Sequence, residues 1–192
     1  MVDGIISRVK SIVEAGILVI GHLGLTPQST QTFGGYRVQG KTKKSFEAIL
    51  EDSIILQESG VCALLLEAMP SETAGKIASH LDIPVLGIGA GNQVDGQLVI
   101  IHDLLGLYKP FRPQFAKCYV SEIITDFETH LSNFEDIRQM GIDTREDGLL
   151  KLIELALNKY VHEVKSGKYP DNKYSYQISE KSIEKIKQSS YW

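Results

Sequence analysis

Three short apolar runs constrain this chain more than any other feature: ILVIGHL (17–23), VCALLLEAM (61–69) and IPVLGIGAG (83–91). They are rich in β-branched residues or leucine and lack polar alternation, as strands buried on both faces do. Helical stretches separate them. MVDGIISRVKSIVEAG carries Ile5, Val9, Ile12 and Val13 on one face. SFEAILEDSIILQESG (45–60) offers Ser45 as N-cap, Phe46, Ile49, Leu50 and Ile54 as its inner face, and Gly60 as C-cap. PSETAGKIASHL places Pro70 in a first turn, where a missing N–H costs nothing, and DGQLVIIHDLLG (95–106) reads as one more helix. Such alternation builds βαβ units around a parallel sheet. The fold class is α/β, part of a (β/α) barrel or a doubly wound sheet, and both gather active sites at the carboxyl ends of their strands.

Between the first run and the second helix lies GLTPQSTQTFGGYRVQGKTKK (24–44). Loops this long in compact domains are usually functional. After residue 108 the texture changes to an irregular, proline-containing arm, then to a weakly periodic acidic stretch. GLLKLIELALNKYVHEVKSGKYP comes next as an amphipathic helix with Leu149, Leu152, Ile153, Ala156 and Tyr160 at helical spacing. The last twenty residues are polar and are expected to fray. The division expected is 1–117 for the α/β part, with 118–192 as an acidic insertion, helix and tail of the same domain.

Composition excludes several partners. With 24 acidic against 20 basic residues the net charge is −4, and no basic stripe interleaved with aromatics suggests nucleic acid. No apolar run approaches the ~20 residues a membrane helix needs. Two isolated cysteines, Cys62 and Cys118, suit a reducing compartment, and the amino terminus reads as a helix rather than a signal peptide. A cytoplasmic location is expected.

Glu67 is the first candidate for chemistry. A carboxylate at the carboxyl end of a buried strand is rigidly held, and apolar neighbours disfavour its charged form, which poises it as a general base. The competing reading is a surface acid near the amino end of the next helix. His22 occupies the equivalent point of the preceding run; a substrate-facing role competes with the commoner backbone-bonded one. Thr26, Gln28 and Ser29 offer polar groups, though TPQS also suits a capping turn. GIGAGN (87–92) lacks dinucleotide-loop spacing, so its glycines serve close approach of a ligand or of a neighbouring loop. His102 and Asp103 are adjacent and diverge by about 100° on a helix, which favours a structural role over metal binding.

Taken together, GHLGLTPQS, FGGYRVQGKT, LLLEAMPSE, IPVLGIGAGN, DGQLVIIHDLLG, KPFRPQFAK and YVHEVKSGKYPDNKYSY closely resemble, in this order, the ketopantoate hydroxymethyltransferase family. The resemblance implies a (β/α)₈ barrel of the phosphoenolpyruvate/pyruvate type. It implies transfer of a hydroxymethyl group from 5,10-methylenetetrahydrofolate to 3-methyl-2-oxobutanoate, giving 2-dehydropantoate on the way to pantothenate and coenzyme A. Glu67 falls in the family's LLLE-x-x-P segment and takes the role of proton acceptor at C3; His22 takes a supporting place in the substrate pocket. The family's Mg²⁺, which binds the keto acid as a Lewis acid, is held from GDS, ADMP-like and K-x-E-G segments of its first four strands, and none of these strings occurs here.

The expectation is therefore a chain carrying only the carboxy-terminal portion of the barrel plus a carboxy-terminal amphipathic helix, with residues 121–146 inserted and no metal ligands of its own. On that expectation it is nearly inactive alone and works in a homo-oligomer or with a missing amino-terminal half. The alternative is a non-catalytic remnant or complementing subunit of a split barrel.

Overall fold

A computed structural model describes residues 3–26, 37–108, 110–130 and 145–192. Gln28, Ser29 and most of the expected insertion (131–144) lie outside the described residues. The described chain forms two compact units, Met1–Leu98 with Pro170–Trp192, and Val99–Tyr169.

In the first unit the predicted alternation is present. Helix α1 (Asp3–Glu14) leads to β1 (Ile20–Gly24), α2 (Lys43–Glu58), β2 (Ala63–Glu67), α3 (Ser71–Ala78), β3 (Val85–Ile88) and β4 (Gly96–Gln97). The four strands lie in that order and pair in parallel throughout. The single helix expected over 95–106 is not what forms. Instead Gly96 and Gln97 pair with Leu86 and Gly87, and only Ile101–Leu105 is helical (α4). Gly96 allows this close pairing, since a Cβ there would stand 2.8 Å from a Leu86 methyl.

Strand β1 departs from its expectation of full burial. It starts at Ile20 and lies at the sheet edge among the described residues, leaving Ile17, Leu18 and Ile20 exposed. An apolar run reads as buried only when strands flank it on both sides. Strand β2 is central, and its period of two puts Leu64 and Leu66 at 0% exposure on the helix-covered face. Leu65 and Glu67 take the opposite face. The core joins Phe46, Leu50 and Leu56 of α2, Ile77 of α3, Val85 of β3 and Ile186 near the carboxyl terminus. On α1, Ile6, Val9 and Val13 face that core, while Ile5 and Ile12 are exposed. Val9 and Val13 of the expected face thus point inward, while Ile6 packs there and Ile5 and Ile12 do not.

Capping follows local rules. Thr42, not Ser45, is the N-cap of α2; its hydroxyl accepts from the Ser45 N–H while the Ser45 hydroxyl accepts from the Thr42 N–H. Ser59 is the C-cap, and Gly60 just beyond it takes φ 89°. Pro70 serves as N-cap of α3.

The final segment overturns the expectation of fraying. Asp171 caps a 3₁₀ turn at Asn172–Tyr174, and Ser179 caps the last helix, α7 (Glu180–Ile186). Ile186 is fully buried, the Ser189 hydroxyl donates to Glu47, Lys43 donates to the Gln188 carbonyl, and Trp192 meets Phe46 edge-on at 5.9 Å. A polar composition masks the few apolar anchors that fix this tail.

The second unit contains α4, α5 (Tyr119–His130) and α6 (Arg145–Lys165). Leu104, Tyr119, Ile123 and Ala156 form its core, with Leu152, Leu155 and Tyr160 against them. Leu149, expected on this face, is exposed. Tyr119, Tyr160 and Tyr169 form an edge-to-face triangle with centroids 5.8–6.0 Å apart. Lys117 lies over the Tyr119 ring, paired with Glu163 at 2.8 Å and Glu122 at 3.0 Å, and the Tyr119 hydroxyl also donates to Glu163. Burial pulls the Lys117 ammonium down, but hydrogen bonds and charges of Glu163 and Glu122 outweigh it and hold the group above the ordinary lysine value. Burial first, then the bond to Glu163, drives the Tyr119 phenol far above its usual range.

Candidate active site

The carboxyl ends of β1 and β2 carry the two candidate side chains, and the register brings them together. Gly24 is level with Glu67 and His22 with Leu65, so His22 and Glu67 share a face two positions apart. Glu67 Oε2 lies 3.0 Å from His22 Nε2. An ionised carboxylate only accepts, so the ring nitrogen donates and Nε2 carries the hydrogen. The carboxylate side chain is 12% exposed and the imidazole 29%. Level with Glu67 on the next strand is Ile88, and Leu65 is two residues back on the same face. The apolar surroundings of Glu67 are thus Leu65 and Ile88; the buried leucines 64 and 66 point the other way.

The backbone around Glu67 is tightly constrained. The Glu67 carbonyl accepts from the Leu25 N–H at 2.9 Å. Gly24 has φ 88°, and a Cβ there would collide with the Glu67 carbonyl oxygen, so only glycine permits the strand ends to approach. Ala68 comes next at φ 52°, a left-handed conformation that is rare for a residue with a Cβ. It is held there on both sides: its N–H donates to the Ile88 carbonyl and its carbonyl accepts from the Gln39 N–H. Such strain persists where the surroundings over-determine the backbone, and it clusters at functional sites.

The remaining candidates separate. Gly91, at φ 73°, sits against Ser71 at the start of α3, where a Cβ would collide with the Ser71 side chain, and Gln97 donates to the Gly91 carbonyl. Gly91 thus serves close packing of this loop on a helix end. Asp103 is buried while His102 is exposed; burial pushes the Asp103 carboxyl up, opposed by the charges of Arg112 and His102.

Two further groups carry no sequence signal of their own. Glu72, in the first turn of α3, has its Oε2 buried without a hydrogen-bond partner among the described residues. The amino end of that helix offers it a favourable dipole. Tyr176 pairs with Pro70 in a parallel bridge, and its phenol is held above the ordinary value by burial first and then by the charge of Glu67. Its segment reads as polar tail, and nothing in its spacing points 109 residues back to Glu67.

Among the described residues no group of three or more His, Cys, Asp or Glu could hold a metal ion, so these residues alone do not fit Mg²⁺. No helix among them is long and apolar enough to cross a membrane.

A parallel α/β sheet with a carboxylate–imidazole pair at its carboxyl end defines the broad class of α/β enzyme-like folds that work at strand ends. The model of the ketopantoate hydroxymethyltransferase family matches residues 2–139, and the chain belongs to that family. It is 36% identical over 182 residues to the 3-methyl-2-oxobutanoate hydroxymethyltransferase of Clostridium botulinum (strain Alaska E43 / Type E3), covering 95% of this chain and 56% of that one. The protein of the same name from Thermoanaerobacter sp. (strain X514) is 39% identical over 179 residues, 93% of this chain and 56% of its own. That of Moorella thermoacetica is 40% identical over 174 residues, 91% and 55% respectively. The chain spans about half the length of the curated relatives it matches.

Proposed function

We propose that the chain acts in 3-methyl-2-oxobutanoate hydroxymethyl transfer, with Glu67 removing the C3 proton of the keto acid. The enolate so formed bonds to the one-carbon unit of 5,10-methylenetetrahydrofolate; both carbon–nitrogen bonds to that carbon break, one water supplies the hydroxyl, and tetrahydrofolate leaves as 2-dehydropantoate forms for pantothenate and coenzyme A synthesis. The observation that carries the reading is the Glu67–His22 pair at the carboxyl end of the parallel sheet. His22 holds one carboxylate oxygen through its Nε2–H, and the strained Ala68 turn fixes where the strand ends. A positioned base of this kind contributes about 10²–10⁴-fold.

The proposed frame is a (β/α)₈ barrel of the phosphoenolpyruvate/pyruvate type to which β1–β4 belong, in a cytoplasmic homo-oligomer. Mg²⁺ enters only through the resemblance, and no step is assigned to it.

A second reading, a sheet completed by a separate chain, is favoured by the exposed Ile20 on edge strand β1 and the exposed Ile17 and Leu18 just before it. One assay tests both. The keto acid is incubated in D₂O with Mg²⁺ and the chain, alone and mixed with the amino-terminal part of a full-length relative, and loss of the C3 proton is followed by NMR. Exchange that falls about 10²–10⁴-fold in Glu67→Gln supports the catalytic reading. Exchange only in the mixture supports completion by a partner. No exchange in either overturns the assignment of Glu67.

A further inference from the structure

Helix α6 is apolar on two sides. Leu152, Leu155, Ala156 and Tyr160 pack into the second unit. Leu150, Ile153, Leu157, Val161 and Val164 recur at steps of three and four, and at 100° per residue they fall within about 80° of arc on a different face. None of these five belongs to either core among the described residues. Leu150 is 67% exposed, Val161 44% and Leu157 38%, and Leu149, at 60%, borders them. A surface helix keeps one apolar face for its core and polar residues opposite, so a second apolar stripe about 21 Å long calls for a cover.

Charge along the helix points to what covers it. Asp147, close to the amino end, and Lys165, in the last turn, are both exposed, and each lies about 80° from Leu157 on the same flank of the stripe. We infer that this face is a self-association surface, on which α6 of a second copy lies antiparallel about a twofold axis near Leu157. That axis sets Leu157 against its own copy, Ile153 against Val161, and Leu150 against Val164. It brings Asp147 to the turn that carries Lys165 of the other copy, and it sets the two helix dipoles antiparallel. A parallel pairing would instead put like charge against like charge at both ends. A stripe this short lies at the small end of specific interfaces, so the dimer is weak and depends on concentration. The inference deepens the homo-oligomeric frame proposed above, on which it rests, and uses no part of the catalytic reading.

Sedimentation velocity of the full chain, run from low to high concentration, tests this. Wild type passes from monomer to dimer. Leu157→Lys sets two ammonium groups together on the axis and weakens dimerisation at least about tenfold; Leu150→Lys, away from the axis, weakens it less. Both positions are exposed, so circular dichroism and thermal unfolding of the variants stay at wild type. Asp147→Lys and Lys165→Asp each weaken association about two- to fivefold, the size of an exposed ion pair, and the chain carrying both exchanges recovers it. Single exchanges without effect, or a double exchange without recovery, overturn the antiparallel arrangement and with it the inference. Association that Leu157→Lys and Leu150→Lys leave unchanged overturns this face while the homo-oligomeric frame stands. A chain that stays monomeric throughout, as it does where a different protein covers the stripe, overturns both. The deuterium exchange that tests Glu67 is read separately, so its failure is not confused with any of these.

Discussion

Glu67 and His22 meet across neighbouring parallel strands at 3.0 Å, although 45 residues separate them in the chain. The contact is diagonal, because His22 is level with Leu65 rather than with Glu67. An imidazole reaches a carboxylate two positions further along the next strand only if both side chains take the same face, and the pleat ensures that.

This pair is built for orientation more than for stability. Both side chains retain some solvent contact, so His22→Ala costs about 1 kcal/mol or less in urea unfolding. Its effect on deuterium exchange at C3 is larger, about tenfold, because the freed carboxylate samples unproductive rotamers. An exchange rate unchanged in His22→Ala would show that the imidazole does not orient the base.

Gly24 and Gly16 separate backbone strain from steric exclusion. Both have positive φ, 88° and 80°, but a Cβ on Gly16 meets nothing within 4 Å, whereas on Gly24 it strikes the Glu67 carbonyl oxygen. Gly16→Ala should cost about 1 kcal/mol from the left-handed conformation alone. Gly24→Ala should cost at least ~2–3 kcal/mol and displace the Leu25–Glu67 hydrogen bond. Chemical denaturation of the two variants side by side reads the difference directly.

Lys117 gives the second unit a pH-dependent stability of definite sign. Its folded ammonium is held above the ordinary lysine value by Glu163 and Glu122, against an opposing burial effect. The folded state therefore binds the proton more tightly than the unfolded chain does. Its stabilisation is complete below the ordinary lysine value and is lost as pH rises through the folded one. Thermal unfolding measured from about pH 8 to about pH 11, values chosen to bracket lysine titration, should show a decline that Lys117→Met lacks. That variant should also lose about 3 kcal/mol at neutral pH, since it strands Glu163 in a site where the carboxylate is 13% exposed.

Ile186 tests whether the tail belongs to the fold. It is fully buried among α2 and sheet residues, so Ile186→Ala should destabilise the first unit by about 2–5 kcal/mol. A loss below about 0.5 kcal/mol, the size of a typical surface change, would return the segment to the status of a frayed end. Protease sensitivity after Pro170 provides an independent reading.

The parts of the fold visible in the sequence are those encoded by short-range pattern. LLLE announces a strand that ends on a carboxylate because period and length are local, and Phe46, Leu50 and Gly60 announce the second helix for the same reason. Thr42 is hard to single out as the cap because Ser45, three residues later, takes part in the same capping box and either residue suits the position. The expectation of one helix over 95–106 fails because Gly96 and Gln97 have no strand pattern of their own and are recruited by β3. The pairing of Tyr176 with Pro70 is invisible in the sequence because its segment is polar and its partner lies far back in the chain.

The sequence by itself determined the alternation of strand and helix, the parallel sheet this entails, the end of the strand at which Glu67 stands, and the family. Tertiary structure alone decided that β1 lies at the sheet edge among the described residues, that Glu67 turns away from Leu64 and Leu66 towards His22, and that the last twenty residues pack back on α2 and the β2–α3 turn. The physical reason is range. Helix and strand periodicities are fixed by neighbours a few residues apart, whereas parallel register is set by crossovers tens of residues long and by how the helices they contain share one core.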